Sequence, residues 1–209
     1  MHEKVLTDSG LALLRELGAA PSLSLGDWIL AGGTGLALQL GHRVSEAFDF
    51  FRPGPLETDR LVGSLREVGS FETLQHSEHT LTVLIRGTKL SFFRAYDPFL
   101  FPGSPYRGFR IADIRDIALM KLLAITNRGS RKDFVDLYLI LQGSLTLRDF
   151  LTMLPERYDP STLNTYTVLK SLTYFEDAET EPLPRMLVPF RWEECRAFFL
   201  REAHAIVLP

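Results

Sequence analysis

Cysteine is nearly absent from this chain, because Cys195 is the only one in 209 residues. A single thiol excludes an internal disulfide and is typical of a protein in a reducing compartment. No metal or redox motif surrounds Cys195, so we interpret it as a structural residue. The first residues also lack the basic and then apolar arrangement of a signal peptide. The sequence therefore predicts a cytoplasmic location.

Long apolar segments are missing as well, although 45% of the residues are hydrophobic. A bilayer span needs about 20 consecutive apolar residues, and the longest runs here are broken by Lys121 or by charged neighbours, so no membrane partner is expected. Excess positive charge is absent too, and the net charge of −3 argues against a protein that coats nucleic acid without sequence preference. Residues 101–132 nevertheless contain seven Lys or Arg and only two Asp. This segment favours a polyanionic ligand, and a solvated surface is the alternative for each of its residues.

Hydrophobic periodicity predicts an α+β fold in two parts. Residues 1–110 form the first part, a small mixed sheet with helices, and residues 111–209 a helical C-terminal region packed on it. In the first part we predict helices at 8–18, 33–40 and 57–68, and strands at 28–31, 48–52, 80–86 and 89–94. Gly87-Thr88 is interpreted as the turn of a hairpin.

The most informative motif is Ile29–Thr34, followed by Ala47–Phe50. It predicts a strand, a Gly-Gly turn that opens a helix, and a second strand that carries Asp49. Backbone N–H groups at a helix N-terminus bind phosphate, and glycines let a triphosphate approach closely. Carboxylates at alternate positions of the second strand face the same side and can hold Mg²⁺. Only Asp49 is acidic there, since the other alternate position is Ala47.

Two later helices carry charged residues on apolar faces. Lys121 lies in the middle of an apolar stripe that includes Ile117 and Ile125, where an ammonium needs an anion, a carboxylate or water. A triphosphate is one such anion, and snorkelling to the surface is the alternative. The next helix begins near Ser130 and carries Asp133 and Asp136 on one face. Asp136 is expected to have a partner, which is either structural, namely Arg128 or Arg131, or catalytic. The helix dipole explains Asp133 almost as well.

Three segments together resemble the AbiEii/AbiGii nucleotidyltransferases, which are toxins of type IV toxin–antitoxin and abortive-infection systems. The resemblance is strongest to the short, single-chain branch of that family. The segments are LAGGTGLALQLGHRVSEAFDFF (30–51), DIALMKLLAITNRGSRKDFVDLYLIL (116–141) and SLTYFEDAETEPLPRML (171–187). They cover about a third of the chain, and their combination is far more specific than the Gly-Gly motif alone.

The resemblance implies a nucleotidyltransferase fold of the polymerase-β type, with NTP as substrate and Mg²⁺ or Mn²⁺ as cofactor. It implies phosphate contacts from the Gly-Gly turn and a metal ligand at Asp49. It also implies a triphosphate-gripping lysine at Lys121 and a catalytic aspartate at Asp136 or Asp133. The residues assigned to nucleotide binding are Gly32, Gly33, Thr34, Arg43 and Ser45.

Ala47 departs from the family pattern, which has the first aspartate of an Asp-x-Asp pair at this position. Strand alternation turns Glu46 to the opposite face from Asp49, and Ser91 stands where polymerase-β relatives often place a third carboxylate. We therefore expect a metal-dependent nucleotidyltransferase with an impaired metal site, acting on RNA such as tRNA or on a protein hydroxyl. The alternatives are an inactive protein of the same fold that binds nucleotide or RNA, and an interaction module for a partner such as an antitoxin.

Overall fold

The computed structural model describes residues 1–207. They divide into two compact units, of which the first is Met1–Asp113 and the second begins at Ile114. The first unit contains every strand of the described residues, and the second is built from helices. This arrangement of a mixed sheet followed by helices confirms the predicted α+β class.

A seven-stranded sheet forms the centre of the first unit. Its strands are β1 (Ile29–Ala31), β2 (Ala47–Pro53), β3 (Glu72–His76), β4 (Thr80–Ile85), β5 (Thr88–Ala95), β6 (Ser104–Tyr106) and β7 (Phe109–Ile111). Their order across the sheet is β3-β4-β5-β2-β1-β7-β6. Strand β2 is central, antiparallel to β1 and parallel to β5. The predicted strands are confirmed, whereas β3, β6 and β7 were not predicted.

Three helices accompany this sheet: α1 (Asp8–Ala19), α2 (Gly32–Leu40) and α3 (Thr58–Val68). One face of the sheet presents fully buried aromatic residues, among them Phe48, Phe50 and Phe92, which join a core that includes leucines of α1 and α3. Because side chains alternate along a strand, Asp49 points to the other face, away from this core. The buried phenylalanines therefore fix the direction in which the Asp49 carboxylate projects.

The hairpin between β4 and β5 turns one residue earlier than predicted. The two strands pair up to Ile85 and Thr88, so the turn residues are Arg86 and Gly87 rather than Gly87 and Thr88. Both have positive φ, 51° and 76°, as a two-residue turn of type I′ requires. Glycine takes this conformation readily, and the turn forces Arg86 into it as well.

The second unit consists of α4 (Ile114–Arg128), α5 (Arg131–Ile140), α6 (Leu147–Arg157), α7 (Thr165–Leu172), α8 (Glu176–Thr180) and α9 (Trp192–His204). The proline-containing stretch between α8 and α9 is not helical, as predicted. Within residues 1–207, none of the helices has the length and apolar character needed to cross a bilayer.

Candidate active site

The Gly-Gly turn and Asp49 are brought together by the pairing of β1 with β2. Asp49 lies opposite Ala31, the last residue of β1, and α2 begins at the next residue, Gly32. A side chain at Gly32 would place its Cβ 2.9 Å from Asp49 Oδ2, and the φ of +62° is one that favours glycine. The carboxylate therefore lies directly against the start of α2, and only glycine leaves room for it.

Arg43 provides a positive charge at the same turn. Its guanidinium is so close to Gly33 that a Cβ at Gly33 would overlap it. The side chain is largely buried, and one of its nitrogens donates to the carbonyl oxygen of Val44 at 3.0 Å. A guanidinium beside the N-terminus of a nine-residue helix adds to the positive end of the helix dipole. This end of α2 is thus suited to a phosphate group.

Thr34 and Ser45 hold this turn in place. Their hydroxyl oxygens are 2.7 Å apart, and the Thr34 hydroxyl also hydrogen-bonds to the carbonyl oxygen of Ala47. Both residues are buried, at 1% and 8% exposure. Ser45 precedes β2, which begins at Ala47, and its backbone N–H donates to Val5. These contacts tie α2 to the start of β2, and phosphate contact by either hydroxyl stays a prediction.

The neighbours of Asp49 on the sheet are neutral. Ser91 on β5 is its partner in the parallel register, and Thr82 on β4 is the partner of Ser91. Both are buried, and their hydroxyl oxygens are 3.3 Å apart. Along β2, Ala47 is the next residue on the same face. Asp49 is therefore the only carboxylate in this row of the three adjacent strands.

Lys89 is a residue that the sequence reasoning missed. The register places it opposite Ala47 on β5, on the same face as Ser91 and Asp49, and it is exposed. The alternation Lys89-Leu90-Ser91 within the predicted strand was the available signal, because it puts the lysine and the serine on one face. Where the family pattern has an aspartate, this chain thus has an alanine with a lysine beside it.

The donor set at Asp49 fits a divalent ion only in part. Among the described residues, no group of three or more His, Cys, Asp or Glu side chains is arranged to hold a metal ion. Mg²⁺ is often bound through one or two carboxylates together with phosphates of the substrate. One carboxylate beside a phosphate-binding turn matches that mode, whereas a pair of ions bridged by several carboxylates does not fit.

Lys121, Asp133 and Asp136 form a buried ion cluster in the second unit. Lys121 Nζ is 2.7 Å from Asp133 Oδ1 and 2.6 Å from Asp136 Oδ2. Both aspartates are fully buried, and 6% of the lysine side chain is exposed. Arg128 donates to the other oxygen of Asp133 at 2.8 Å. The lysine therefore pairs with carboxylates and does not extend to the surface. Asp136 has a partner, as expected, but this partner is Lys121, whereas the sequence suggested Arg128 or Arg131.

Charge balance within this cluster determines its protonation. Burial alone would lower the pKa of Lys121, but the carboxylates of Asp136 and Asp133 outweigh burial and raise it. Burial would likewise raise the pKa of Asp133, and the Lys121 and Arg128 cations outweigh burial and lower it. Lys121 and Asp133 are therefore charged at neutral pH, as a buried pair requires.

A tight turn between α4 and α5 creates this cluster. Gly129, with φ +59°, ends α4, and α5 begins two residues later, after Ser130. The predicted helix start is confirmed, but the Ser130 side chain makes no capping bond within the helix. It donates instead to Glu181 Oε2 at 2.6 Å, and the same oxygen accepts the Arg131 N–H at 2.9 Å. Glu181, which sequence reasoning missed as a functional position, therefore caps the helix that carries both aspartates.

Comparison with known proteins identifies a family and a fold for this chain. The model of the family described as nucleotidyl transferase AbiEii toxin, type IV TA system, matches residues 13–110. An uncharacterized protein of Aquifex aeolicus is 36% identical over 183 residues, which are 84% of this chain and 86% of that protein. JHP933 from Helicobacter pylori superposes with a TM-score of 0.55 at 18% identity, over 95% of this chain and 92% of that chain. The nucleotidyltransferase toxin MenT4 from Mycobacterium tuberculosis H37Rv gives 0.54 at 17%, over 95% and 85%.

The solved structures confirm the nucleotidyltransferase fold, and at such low identity they support the fold alone. The family model covers the Gly-Gly turn, Asp49 and the sheet that carries them. The sequence relative extends over both units of this chain. The chain belongs to the AbiEii nucleotidyltransferase toxin family.

Proposed function

We propose that the protein transfers a nucleoside monophosphate from an NTP to a hydroxyl group of an RNA, with tRNA as the first candidate, or of a protein. The observation that supports this most directly is the Asp49 carboxylate against the glycine that opens α2, with the Arg43 guanidinium at the next residue. A carboxylate and a cationic phosphate site at adjacent positions are what a metal-bound triphosphate needs.

In this proposal the first unit binds the triphosphate. The N–H groups at the start of α2 and the Arg43 guanidinium bind phosphate oxygens, and Thr34 and Ser45 keep the turn in position. Asp49 would hold one divalent ion, and that ion would supply positive charge to the triphosphate and to the pyrophosphate leaving group. The acceptor oxygen forms a bond to the α-phosphorus while the bond from that phosphorus to the β-bridging oxygen breaks. Pyrophosphate leaves, and the hydroxyl proton passes to solvent.

Lys121, Asp133 and Asp136 are proposed as further catalytic residues, on the basis of the family resemblance. Their burial and mutual pairing also predict that changing any of them lowers stability, so activity alone does not test the assignment. Nucleotide affinity of Lys121→Ala, measured on protein shown to be folded, tests it. The matched control is Lys170→Ala, which removes an exposed lysine from α7 of the same unit.

A second candidate function is nucleotide, RNA or antitoxin binding without transfer. The neutral neighbours of Asp49, namely Ala47 along the strand and Ser91 across it, favour this alternative. A single carboxylate should hold a divalent ion weakly and give slow turnover at best.

Label transfer separates the two functions. The protein is incubated with each α-³²P-NTP, Mg²⁺ or Mn²⁺ and total tRNA, and with a protein fraction as the other acceptor. Asp49→Asn, Ala47→Asp and Lys89→Met are compared with the parent chain. Glu46→Gln is the matched control, because it removes an exposed acid three residues from Asp49.

Transfer by the parent that is lost in Asp49→Asn and kept in Glu46→Gln supports the transferase. Transfer that requires Ala47→Asp supports the binding protein, with an intact scaffold and a disabled metal site. If none of the proteins transfers label or binds NTP, the proposal is wrong and the fold serves a protein partner.

A further inference from the structure

A pocket in the first unit lies apart from the candidate active site. It is formed by the segment before β1, the end of β2 and the first turns of α3, and it encloses about 380 Å³ including its open mouth. Ser22, Trp28, Arg52 and Arg60 are among its lining residues, and we call it the Trp28 pocket. It belongs to one compact unit, so its shape depends on that unit alone.

Two of its polar side chains have no hydrogen-bond partner among the described residues. These are the indole nitrogen of Trp28 and the hydroxyl of Ser22, and both atoms are buried. Trp28 as a whole is only 1% exposed. Both residues line the pocket, and buried donors are nearly always paired, so each of these groups is expected to find an acceptor that the described residues do not supply.

The charged residues of the pocket indicate what kind of acceptor could bind there. The Arg52 guanidinium lies 5.1 Å from the centre of the Trp28 ring and donates to the carbonyl oxygen of Pro55 at 2.9 Å, which leaves further N–H groups available. Arg60 makes a 3.3 Å pair with Glu57, and both side chains are largely exposed. Such an exposed pair is weak, so Arg60 can exchange partners at little cost. Arg52, Arg60 and Glu57 together carry a net charge of +1.

The pocket is separate from Asp49 in both position and direction. Arg52 is three residues beyond Asp49 on β2, which is about 10 Å along the strand, and alternation places the two on opposite faces. The Trp28 pocket is therefore at the other end of the strand pair from the Gly-Gly turn. Its occupant does not have to be the triphosphate of the transfer reaction.

We propose that the Trp28 pocket binds a phosphate group. Two neutral donors and two guanidinium groups match an anion that has several acceptor oxygens, and guanidinium pairs well with phosphate geometry. The phosphate is either free inorganic phosphate or a phosphomonoester. The inference stands on this pocket alone and does not depend on transferase activity.

Fluorescence of Trp28 gives a direct test. The chain has two tryptophans, so Trp192→Phe leaves Trp28 as the reporter. This protein is titrated with sodium phosphate, AMP and sodium acetate, each against sodium chloride at equal ionic strength. Arg52→Gln/Arg60→Gln is made in the same background, and Arg66→Gln, which removes an exposed arginine of α3 outside the pocket, is the control. Circular dichroism checks that each variant is folded.

We expect a saturable change with phosphate, an apparent Kd raised about tenfold or more in the double variant, and no change in Arg66→Gln. Tighter binding of AMP assigns the site to a phosphomonoester, and equal or weaker binding assigns it to inorganic phosphate. The proposal is overturned if no saturable change occurs, which would mean that water alone fills the pocket. It is also overturned if chloride or acetate gives the same response, or if binding survives in the double variant.

Discussion

Replacing Lys121 by Met should destabilise the second unit strongly at neutral pH. The ammonium is within 2.7 Å of two fully buried carboxylates, one of which, Asp133, also pairs with Arg128. Removing one partner of a buried ion pair costs about 3–5 kcal/mol, because the charge that stays buried loses a neutralising partner. This is a large share of the roughly 5–15 kcal/mol that stabilises a typical domain. Lys170→Met, at an exposed site, should change the free energy of unfolding by less than about 0.5 kcal/mol.

The loss of stability in Lys121→Met should depend on pH. In the parent chain the pKa of Asp133 is lowered, so its contribution to stability is complete above the unfolded pKa and is lost as the pH falls through the folded one. Without Lys121, burial favours the protonated carboxyl and shifts the pKa upward. The destabilisation of Lys121→Met should therefore be greatest at pH 7 and above, and should shrink as the pH falls towards 5.

Urea unfolding at pH 5, 6 and 7 measures this effect. Trp28→Phe leaves Trp192 in the second unit as the fluorescent reporter, and all variants are made in that background. Lys121→Met/Asp136→Leu should be more stable than Lys121→Met, because it also removes one of the two buried carboxylates that the ammonium neutralises, while Asp133 keeps its pair with Arg128. Equal stability of Lys121→Met and the parent, or a penalty that does not change with pH, would refute the reasoning.

Three further experiments test the packing within each unit. Gly18→Ala should lower the free energy of unfolding by about 1–3 kcal/mol, because the new Cβ would overlap a backbone carbonyl oxygen. Gly63→Ala should raise the free energy of unfolding by about 0.5–1 kcal/mol, because its Cβ would lie in open space on α3. Urea titrations of the two variants and the parent chain measure both changes. Glu181→Ala should cost about 1 kcal/mol by uncapping α5, and Glu156→Ala, at an exposed site, should cost much less in the same assay. Burial raises the pKa of the Cys195 thiol, so a disulfide reagent at pH 8 should modify it only after the second unit unfolds, as the labelling rate in urea will report.

Strands with a hydrophobic pattern were predictable, and those without one were not. Strands β2, β4 and β5 alternate or concentrate β-branched and aromatic residues, and each was found in the sequence. Strand β3 is exposed at every position, so no buried face marks it. Strands β6 and β7 have three residues each, too few for a period to be visible. Strands β3, β6 and β7 therefore depend on pairing with their neighbours in the sheet, because their own residues carry no local pattern.

The same distinction holds for the candidate site. Gly32, Gly33 and Asp49 could be predicted as candidates because a turn, a helix and a strand follow each other within twenty residues. Lys121 and Asp136 were identified separately, but the bond between them depends on a turn that brings two helices together. Glu181 caps α5 from 50 residues away, and nothing near it in the sequence indicates the helix that it serves. Contacts between distant segments leave no local pattern.

A second carboxylate beside Asp49 should raise the affinity for a divalent ion. The position of the new carboxylate determines how much stability the protein loses. Residues two apart on a strand project to one face about 7 Å apart, and in-register neighbours on adjacent strands are about 5 Å apart. Ala47→Asp and Ser91→Asp therefore both bring a second carboxylate within reach of an ion on Asp49. Ala47 is half-buried and has Lys89 beside it, so a charged side chain is tolerated there.

Ser91 is 1% exposed, so an aspartate at this position buries a charge, and among its neighbours in this row the Thr82 hydroxyl, 3.3 Å from the serine oxygen, is a single donor for it. Binding of Mn²⁺, followed by electron paramagnetic resonance, should be several-fold tighter in Ala47→Asp with unchanged stability. Ser91→Asp should lose stability whether or not it binds the ion. Unchanged Mn²⁺ affinity in Ala47→Asp would mean that Asp49 does not hold the metal. The alanine at position 47 would then not be the cause of a slow transfer reaction.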